Sequence, residues 1–163
     1  MKSPAELTDL FRDRGRKMTA QRQALFAILH GTEAHPTAEW VYERARRQMP
    51  TISLRTVYQT LNDLVAMGEL EQLDVGTGSA RFDPNLAPHH HLVCDDCGRV
   101  QDVPVDFPDV AVPQEVAGGF TVSTTEIVFR GLCATCAHGT RADGTADRAP
   151  SQSNHHPHKE CHA

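Results

Sequence analysis

Large core side chains are scarce in this chain. Its 163 residues include one tryptophan, two tyrosines and six phenylalanines, so aromatics make up only 6%. That argues against a single aromatic-filled core and asks for another source of stability. Also missing is any run of the roughly 18 apolar residues that a membrane span needs. Met1–Leu10 lacks the apolar stretch of an export signal, so the expectation is a cytoplasmic protein with no membrane partner. Nor is there an excess of positive charge. Lys and Arg number 16 against 21 Asp and Glu, a formal net charge of −5, which reads as solubility rather than attraction to a polyanion. The length suits one ordinary domain or two small ones and excludes a large multidomain enzyme.

The average charge conceals a gradient. Residues 1–60 carry ten basic and six acidic side chains, whereas residues 84–136 carry two and seven. A basic first half and an acidic second half suit a protein that presents one end to nucleic acid, although surface charge also divides unevenly by chance.

The first third reads as short helices with clear punctuation. Leu7, Leu10 and Phe11 mark an apolar face before Gly15. Thr19 can cap a second helix, through about His30, with Leu25, Ile28 and Leu29 at helical spacing. Pro36 and Thr37 open a third, which Pro50 ends. Ser53 caps the most regular one, where Leu54, Val57, Tyr58, Leu61, Leu64 and Val65 share a stripe and Gly68 stands at the C-terminal cap. A hairpin follows, from Leu70–Val75 across Gly76 and Gly78 to Ser79–Asp83. Helices followed by a hairpin are the order of a winged helix-turn-helix, or of a small helical domain with no nucleic-acid role. Residues 84–88 form a hinge. Beyond it, His91–Cys94, Val100–Val103 and Phe120–Phe129 read as strands, and Pro104, Pro108 and Pro113 leave room for only a short helix before Gly118 and Gly119. Residues 137–163 hold alanine and one cysteine as their only apolar residues and are expected to be disordered. His155, His156, His158, Cys161 and His162 in that tail could trap a metal loosely.

Four of the five cysteines form two pairs, Cys94 with Cys97 and Cys133 with Cys136, each with two residues between. In a reducing compartment such pairs are metal ligands or reactive thiols before they are disulfides. Four thiolates suit a closed tetrahedral structural zinc site, with a redox dithiol pair, an iron–sulfur site and disulfides as the alternatives. Zinc would supply the stability that about 50 residues with a thin core lack. A second set offers harder donors: His35, Asp83, the run His89–His91, and Asp102. Strand alternation would put His89 and His91 on one face and His90 on the other. Imidazole with carboxylate suits iron(II), manganese(II), nickel or zinc, while a histidine run alone is also what a solvated loop contains.

Met18-Thr-Ala-Gln-Arg22, Ala34-His-Pro-Thr-Ala38, Ser53-Leu-Arg-Thr-Val-Tyr58, Arg81-Phe-Asp83, His89-His-His-Leu-Val-Cys-Asp-Asp-Cys97 and Gly131-Leu-Cys-Ala-Thr-Cys136 resemble, in order and spacing, the ferric uptake regulator family of bacterial metal-dependent repressors. The resemblance covers about residues 5–136. It implies an α+β fold, with an N-terminal winged helix-turn-helix over 1–83 and, over 89–136, a small α/β dimerisation domain with a four-cysteine zinc site. It also implies a homodimer that binds double-stranded operator DNA when its regulatory metal is loaded. The sequence looks most similar to the peroxide-responsive branch, whose regulatory metal lies among three histidines and two aspartates. The matching residues are His35, Asp83, His89, His91 and Asp102, and iron-responsive members more often carry glutamate at the position of Asp102. That branch reduces peroxide at bound iron(II) with oxidation of ligand histidines, which match His35 and His89. Thr124 and Thr125 stand where some members have a histidine of a further metal site, and Pro113 breaks the preceding helix. The cofactors so implied are structural Zn2+ and regulatory Fe2+ or Mn2+.

For DNA, Arg55, Thr56 and Gln59 lie on the polar face of the fourth helix. Tyr58 borders its apolar stripe, and Gln21 and Arg22 would meet phosphates. Regulation by iron, zinc or nickel without oxidant sensing is the alternative within the family. A metalloenzyme using the His/Asp set is the alternative outside it, against which stands the lack of a further glutamate or histidine near the set to act as a base.

Overall fold

The protein is described by a computed structural model over residues 1–138, apart from 77, 106, 108–111 and 124. The expectations for the tail beyond His138 and for Thr124 lie outside these residues. Four helices come first: α1 (Pro4–Asp13), α2 (Ala20–Leu29), α3 (Ala38–Gln48) and α4 (Leu54–Ala66). Each starts at a hydroxyl side chain, Ser3, Thr19, Thr37 or Ser53, that accepts a hydrogen bond from a backbone N–H of the first turn. At Ser3 the bond is reciprocated by Glu6, a capping box absent from the sequence reading. Gly68 follows α4 at φ +71°, a left-handed position that ends the helix without strain.

Their apolar stripes meet in one core. Leu7, Phe11, Leu25, Phe26, Leu29, Val41, Val57, Leu61 and Leu64 are all fully buried, and the Phe11 and Phe26 rings lie 5.0 Å apart. Phe82 is buried as well, and with Trp40, Tyr42 and Tyr58 the three phenylalanines give this half six of the chain's nine aromatic residues. Two short antiparallel strands, β1 (Glu71–Leu73) and β2 (Arg81–Asp83), form the wing, with Glu71 opposite Asp83. The Phe82 N–H donates to the Pro36 carbonyl at 2.9 Å and Thr37 bridges Arg81. Those bonds hold the end of the wing beside the turn that carries His35.

A three-stranded sheet completes the fold in the order β4 (Val100–Val103), β3 (His90–Cys94), β5 (Val128–Gly131). β4 runs antiparallel to β3 and places Asp102 opposite His91; β5 runs parallel and places Val128 opposite His91. The strand expected over Phe120–Phe129 is therefore corrected: it begins at Val128 and extends to Gly131. A ladder needs a partner, and among the described residues β3 offers its edge only from His91 to Cys94; Phe120 and Val122 stay exposed. Pro113 caps α5 (Gln114–Ala117), and residues 108–111, on which the expected break in a helix depends, lie outside those described. A last turn, α6 (Ala134–Ala137), follows β5. The second apolar cluster is small and shared, with Leu73 and Val75 from the wing side packed with Val93 and Val100 from the sheet. No helix among the described residues is long and apolar enough to cross a membrane.

Candidate metal centres and DNA-reading face

Cys94 ends β3 and Cys97 follows three residues on, in a turn closed by the Gly98 N–H donating to the Cys94 carbonyl at 2.9 Å. Gly98 sits at φ +68°, which a side chain would resist. Cys133 caps α6 and its single turn returns Cys136 to the same point. The four sulfurs lie within 4.8 Å of one another, and none is in a disulfide. Despite burial, which opposes ionisation, the Cys94 thiol is brought down to about 6 by N–H groups of Cys133, Cys97 and Asp96. Burial pushes Cys97 up, and the hydrogen bond with Asp96, followed by the neighbouring thiols, pushes Cys136 up. One thiolate forms readily and the next ones are resisted, the electrostatics of a sulfur set that needs a cation at its centre. The donor chemistry fits structural zinc.

The second centre joins three segments. His35 comes from the turn before α3, Asp83 from the end of the wing, and His89, His91 and Asp102 from the sheet and its approach; their five ligand atoms lie within 4.8 Å of one another. Asp83 Oδ2 is 2.9 Å from His89 Nε2, 3.3 Å from His35 Nε2 and 3.5 Å from His91 Nε2, and Asp102 Oδ1 is 2.8 Å from His35 Nε2. Nevertheless His35 Nε2, His89 Nε2 and Asp102 Oδ1 are buried without an aligned hydrogen-bond partner. Lone pairs that converge on one point instead of pairing off are what a cation would satisfy, so the residues fit a divalent metal.

Two of the three outer ring nitrogens are engaged elsewhere, while His35 Nδ1 is buried without a hydrogen-bond partner. His89 Nδ1 is 2.7 Å from the Ala87 carbonyl and His91 Nδ1 is 2.9 Å from Glu126 Oε1. Each contact makes Nδ1 the donor and leaves Nε2 free to ligate. Burial would raise the Asp83 carboxyl, but hydrogen bonds from His35 and the Asn85 N–H, with the charges of His35 and His89, hold it below the ordinary carboxylate range. Burial lowers His89, yet the Ala87 carbonyl and the charges of Asp102 and Asp83 raise it on balance. His90 turns away, its ring 5.0 Å from that of Phe107, as strand alternation requires. Sequence reasoning missed Glu126 and judged the set to have no further glutamate near it. The parallel pairing of β5 with β3 brings Glu126 there, and no local sequence signal could have. It meets the outer edge of His91, so it supports a ligand and does not face the donor atoms.

Of the residues read as DNA contacts, Arg55, Tyr58 and Gln59 are exposed on α4, while Thr56 is half-buried with its hydroxyl 2.9 Å from that of Ser53. The Tyr58 hydroxyl donates to Glu39 Oε1 at 2.7 Å, tying the exposed face of α4 to α3. Gln21 is half-buried at the start of α2. Arg22 was expected on phosphate, but its guanidinium is committed inward. Nη2 donates to Asp63 at 2.8 Å and Nη1 to the Lys17 carbonyl at 2.7 Å, with the side chain 13% exposed and stacked on Phe11.

The ferric uptake regulator family profile matches residues 13–130. A peroxide operon regulator of Bacillus subtilis (strain 168) is 30% identical over 135 residues, covering 81% of this chain and 92% of its own. Among solved structures, a zinc-bound manganese uptake regulator superposes with a TM-score of 0.60 at 26% identity, covering 81% of this chain and 99% of that one. The Vibrio cholerae ferric uptake regulator gives 0.59 at 27%, over 77% and 98%. A profile that runs from the end of α1 through the wing into β5, with the whole His/Asp set and the first cysteine pair inside it, shows the kinship: the chain belongs to the ferric uptake regulator family.

Proposed function

We propose that this protein is a cytoplasmic, homodimeric repressor that binds double-stranded operator DNA when Fe2+ or Mn2+ is held by His35, Asp83, His89, His91 and Asp102, and that peroxide releases the iron form from DNA. The observation that carries the reading is a buried donor set drawn from the helical half, the wing and the sheet. A cation there ties the parts together and selects the angle between them. In a dimer two recognition helices must reach half-sites ~34 Å apart, so the angle governs DNA affinity without altering any contact. The division into a reading domain (1–83), a hinge (84–88) and a dimerisation domain (89–136) belongs to this reading. So do contacts from Gln21, Arg55, Thr56, Tyr58 and Gln59. Arg22 holds α4 against α2 in place of touching phosphate.

Iron(II), when held by these residues, would lend an electron to open the peroxide O–O bond and recover it as the attacked ring is oxidised. Overall one oxygen enters a ring carbon of His35 or His89 and the other leaves as water. Both rings are buried, and His89 is fixed through the Ala87 carbonyl, which keeps a ring edge at the centre. The similarity to the B. subtilis peroxide operon regulator supports this branch. The zinc-bound manganese uptake regulator supports a second reading, regulation by metal supply alone on the same donors. Catalytic turnover is not part of either.

The test compares DNA binding of the iron- and manganese-loaded protein before and after peroxide, with mass spectrometry of the histidines. The iron form should gain one oxygen at His35 or His89 and lose DNA, and the manganese form should do neither. Oxidation-free release, or no release, leaves the metal-supply reading. DNA binding unchanged after removal of the non-thiolate metal removes both.

A further inference from the structure

Asn85, in the segment between the wing and the sheet, touches both ligand carboxylates. Its backbone N–H donates to Asp83 Oδ1 at 2.7 Å, and its side-chain Nδ2 donates to Asp102 Oδ2 at 2.9 Å. The amide orientation is fixed from the other side, because Asn85 Oδ1 accepts from the Ala87 N–H at 3.2 Å. Each carboxylate is thereby divided. Asp83 gives Oδ1 to Asn85 and Oδ2 to the three histidines; Asp102 gives Oδ2 to Asn85 and Oδ1 to His35 and His89. Asp83 is buried, so its occupied oxygen has little alternative, but the Asp102 side chain is 28% exposed and could rotate both oxygens inward if released.

We propose that Asn85 is a positioning residue that keeps both carboxylates single-oxygen donors, so that the centre offers five donor atoms and leaves one place for a small neutral oxygen ligand such as water or hydrogen peroxide. The proposal rests on the metal-sensor reading above. Three imidazole nitrogens and two carboxylate oxygens fall one short of the six donors that manganese(II) and iron(II) accommodate. Access exists on the Asn85 side. A cleft of about 1020 Å³ is lined by Asn85, Asp83, Asp102 and His35 on one wall and by Trp40 and Arg81 on another. The same contacts give the segment a second duty. Asn85 spans from the end of the wing to β4, so the carboxylates are held together across the two halves before any cation arrives.

The experiment uses the full chain with its zinc, loaded with manganese(II), and counts exchanging metal-bound waters from the relaxation of water protons. The wild type should show one. Asn85→Ala removes the donor to Asp102 and the acceptor for Ala87, whereas Asn85→Asp keeps the acceptor and puts a charged oxygen in place of the donor. Both variants should lose the bound water as Asp102 turns its second oxygen inward, with zinc content unchanged. A bound water retained in both variants, or absent in the wild type, overturns the proposal. So does its retention in Asn85→Asp alone, since the turn and not the donation would then be responsible. Manganese binding indifferent to Asp83→Ala would remove the sensor reading and this proposal with it.

Discussion

Asp63 and Arg22 provide the sharpest test of how α4 is held. Asp63 lies on the buried side of α4, 11% exposed, with Arg22 Nη2 at 2.8 Å and Arg16 Nη2 at 3.5 Å. Removing one partner of a wholly buried ion pair costs about 3–5 kcal/mol, because the other charge is left uncompensated. Here Arg22 keeps the Lys17 carbonyl and its place on Phe11, so Asp63→Ala should fall at the lower end, about 3 kcal/mol. Arg16 is half-exposed and contributes under about 1 kcal/mol. Arg22→Met retains the apolar stem and leaves Asp63 with Arg16, so it should cost less, about 2 kcal/mol. Urea unfolding measures both; with a slope of about 2 kcal/mol per molar, Asp63→Ala should lower the midpoint by roughly 1.5 M. The double variant should show a pairwise coupling of about 1.5–2 kcal/mol.

The same variant decides between the two roles of Arg22. Each phosphate contact adds about 0.9 to the slope of log affinity against log salt. An arginine committed to Asp63 adds none, so Arg22→Met should weaken the fold and leave the slope unchanged. A slope reduced by about one unit with a coupling under about 0.5 kcal/mol would refute the clamp and restore Arg22 to the DNA.

Cys133→Ser should lose the zinc and lower thermal stability, measured by metal analysis and calorimetry, since zinc binding to such a set contributes directly to folding. Glu126→Ala should weaken manganese(II) binding about 10–100-fold without altering the zinc, read by chelator competition. The Glu39 carboxyl is held below its ordinary value, first by the Tyr58 hydroxyl and then by backbone and Thr37 hydrogen bonds, with burial opposing. Its stabilising effect is therefore complete at neutral pH and is lost as pH falls through the depressed value. Carboxyl-resolved NMR should show Glu39 titrating nearer its ordinary value in Tyr58→Phe.

Local signals carried the helices. Thr19, Thr37 and Ser53 each cap where the stripe begins, and capping is decided within four residues. The cysteine pairs were legible for a similar reason, since ligand types at close spacing limit the chemistry, whereas the His/Asp set, spread from His35 to Asp102, was drawn together by the family resemblance. What escaped depends on distant pairing. Glu126 reaches His91 only through the register of β5 on β3, 35 residues away in sequence. Arg22 looked like a surface cation because its partner Asp63 sits 41 residues on, and no local pattern marks an aspartate that faces inward. The strand over Phe120–Phe129 was overextended because β-branched and aromatic bias reports fitness for a sheet and not the length of edge available.

The contacts between wing and sheet bear on how much work a regulatory cation has to do. Leu73 and Val75 pack with Val93 and Val100, and Arg130 Nη2 donates to the Val75 carbonyl at 2.6 Å while Nη1 reaches Asp95 in the zinc knuckle at 3.4 Å. Four aliphatic side chains and one partly buried hydrogen bond amount to a few kcal/mol, well short of a domain core. The two halves are thus associated before metal binds, but weakly. Coupling energies of about 1–3 kcal/mol are typical of allosteric sites, and under the proposed sensor reading that would be enough, against a weak native contact, to change the preferred angle. A rigid interface would have made the cation a passive staple, and no interface would have required it to assemble the arms from nothing. The net charge of −5 fits the same scheme, because a divalent cation beside Asp83 and Asp102 offsets the acidic side of the molecule where it adjoins the basic helices.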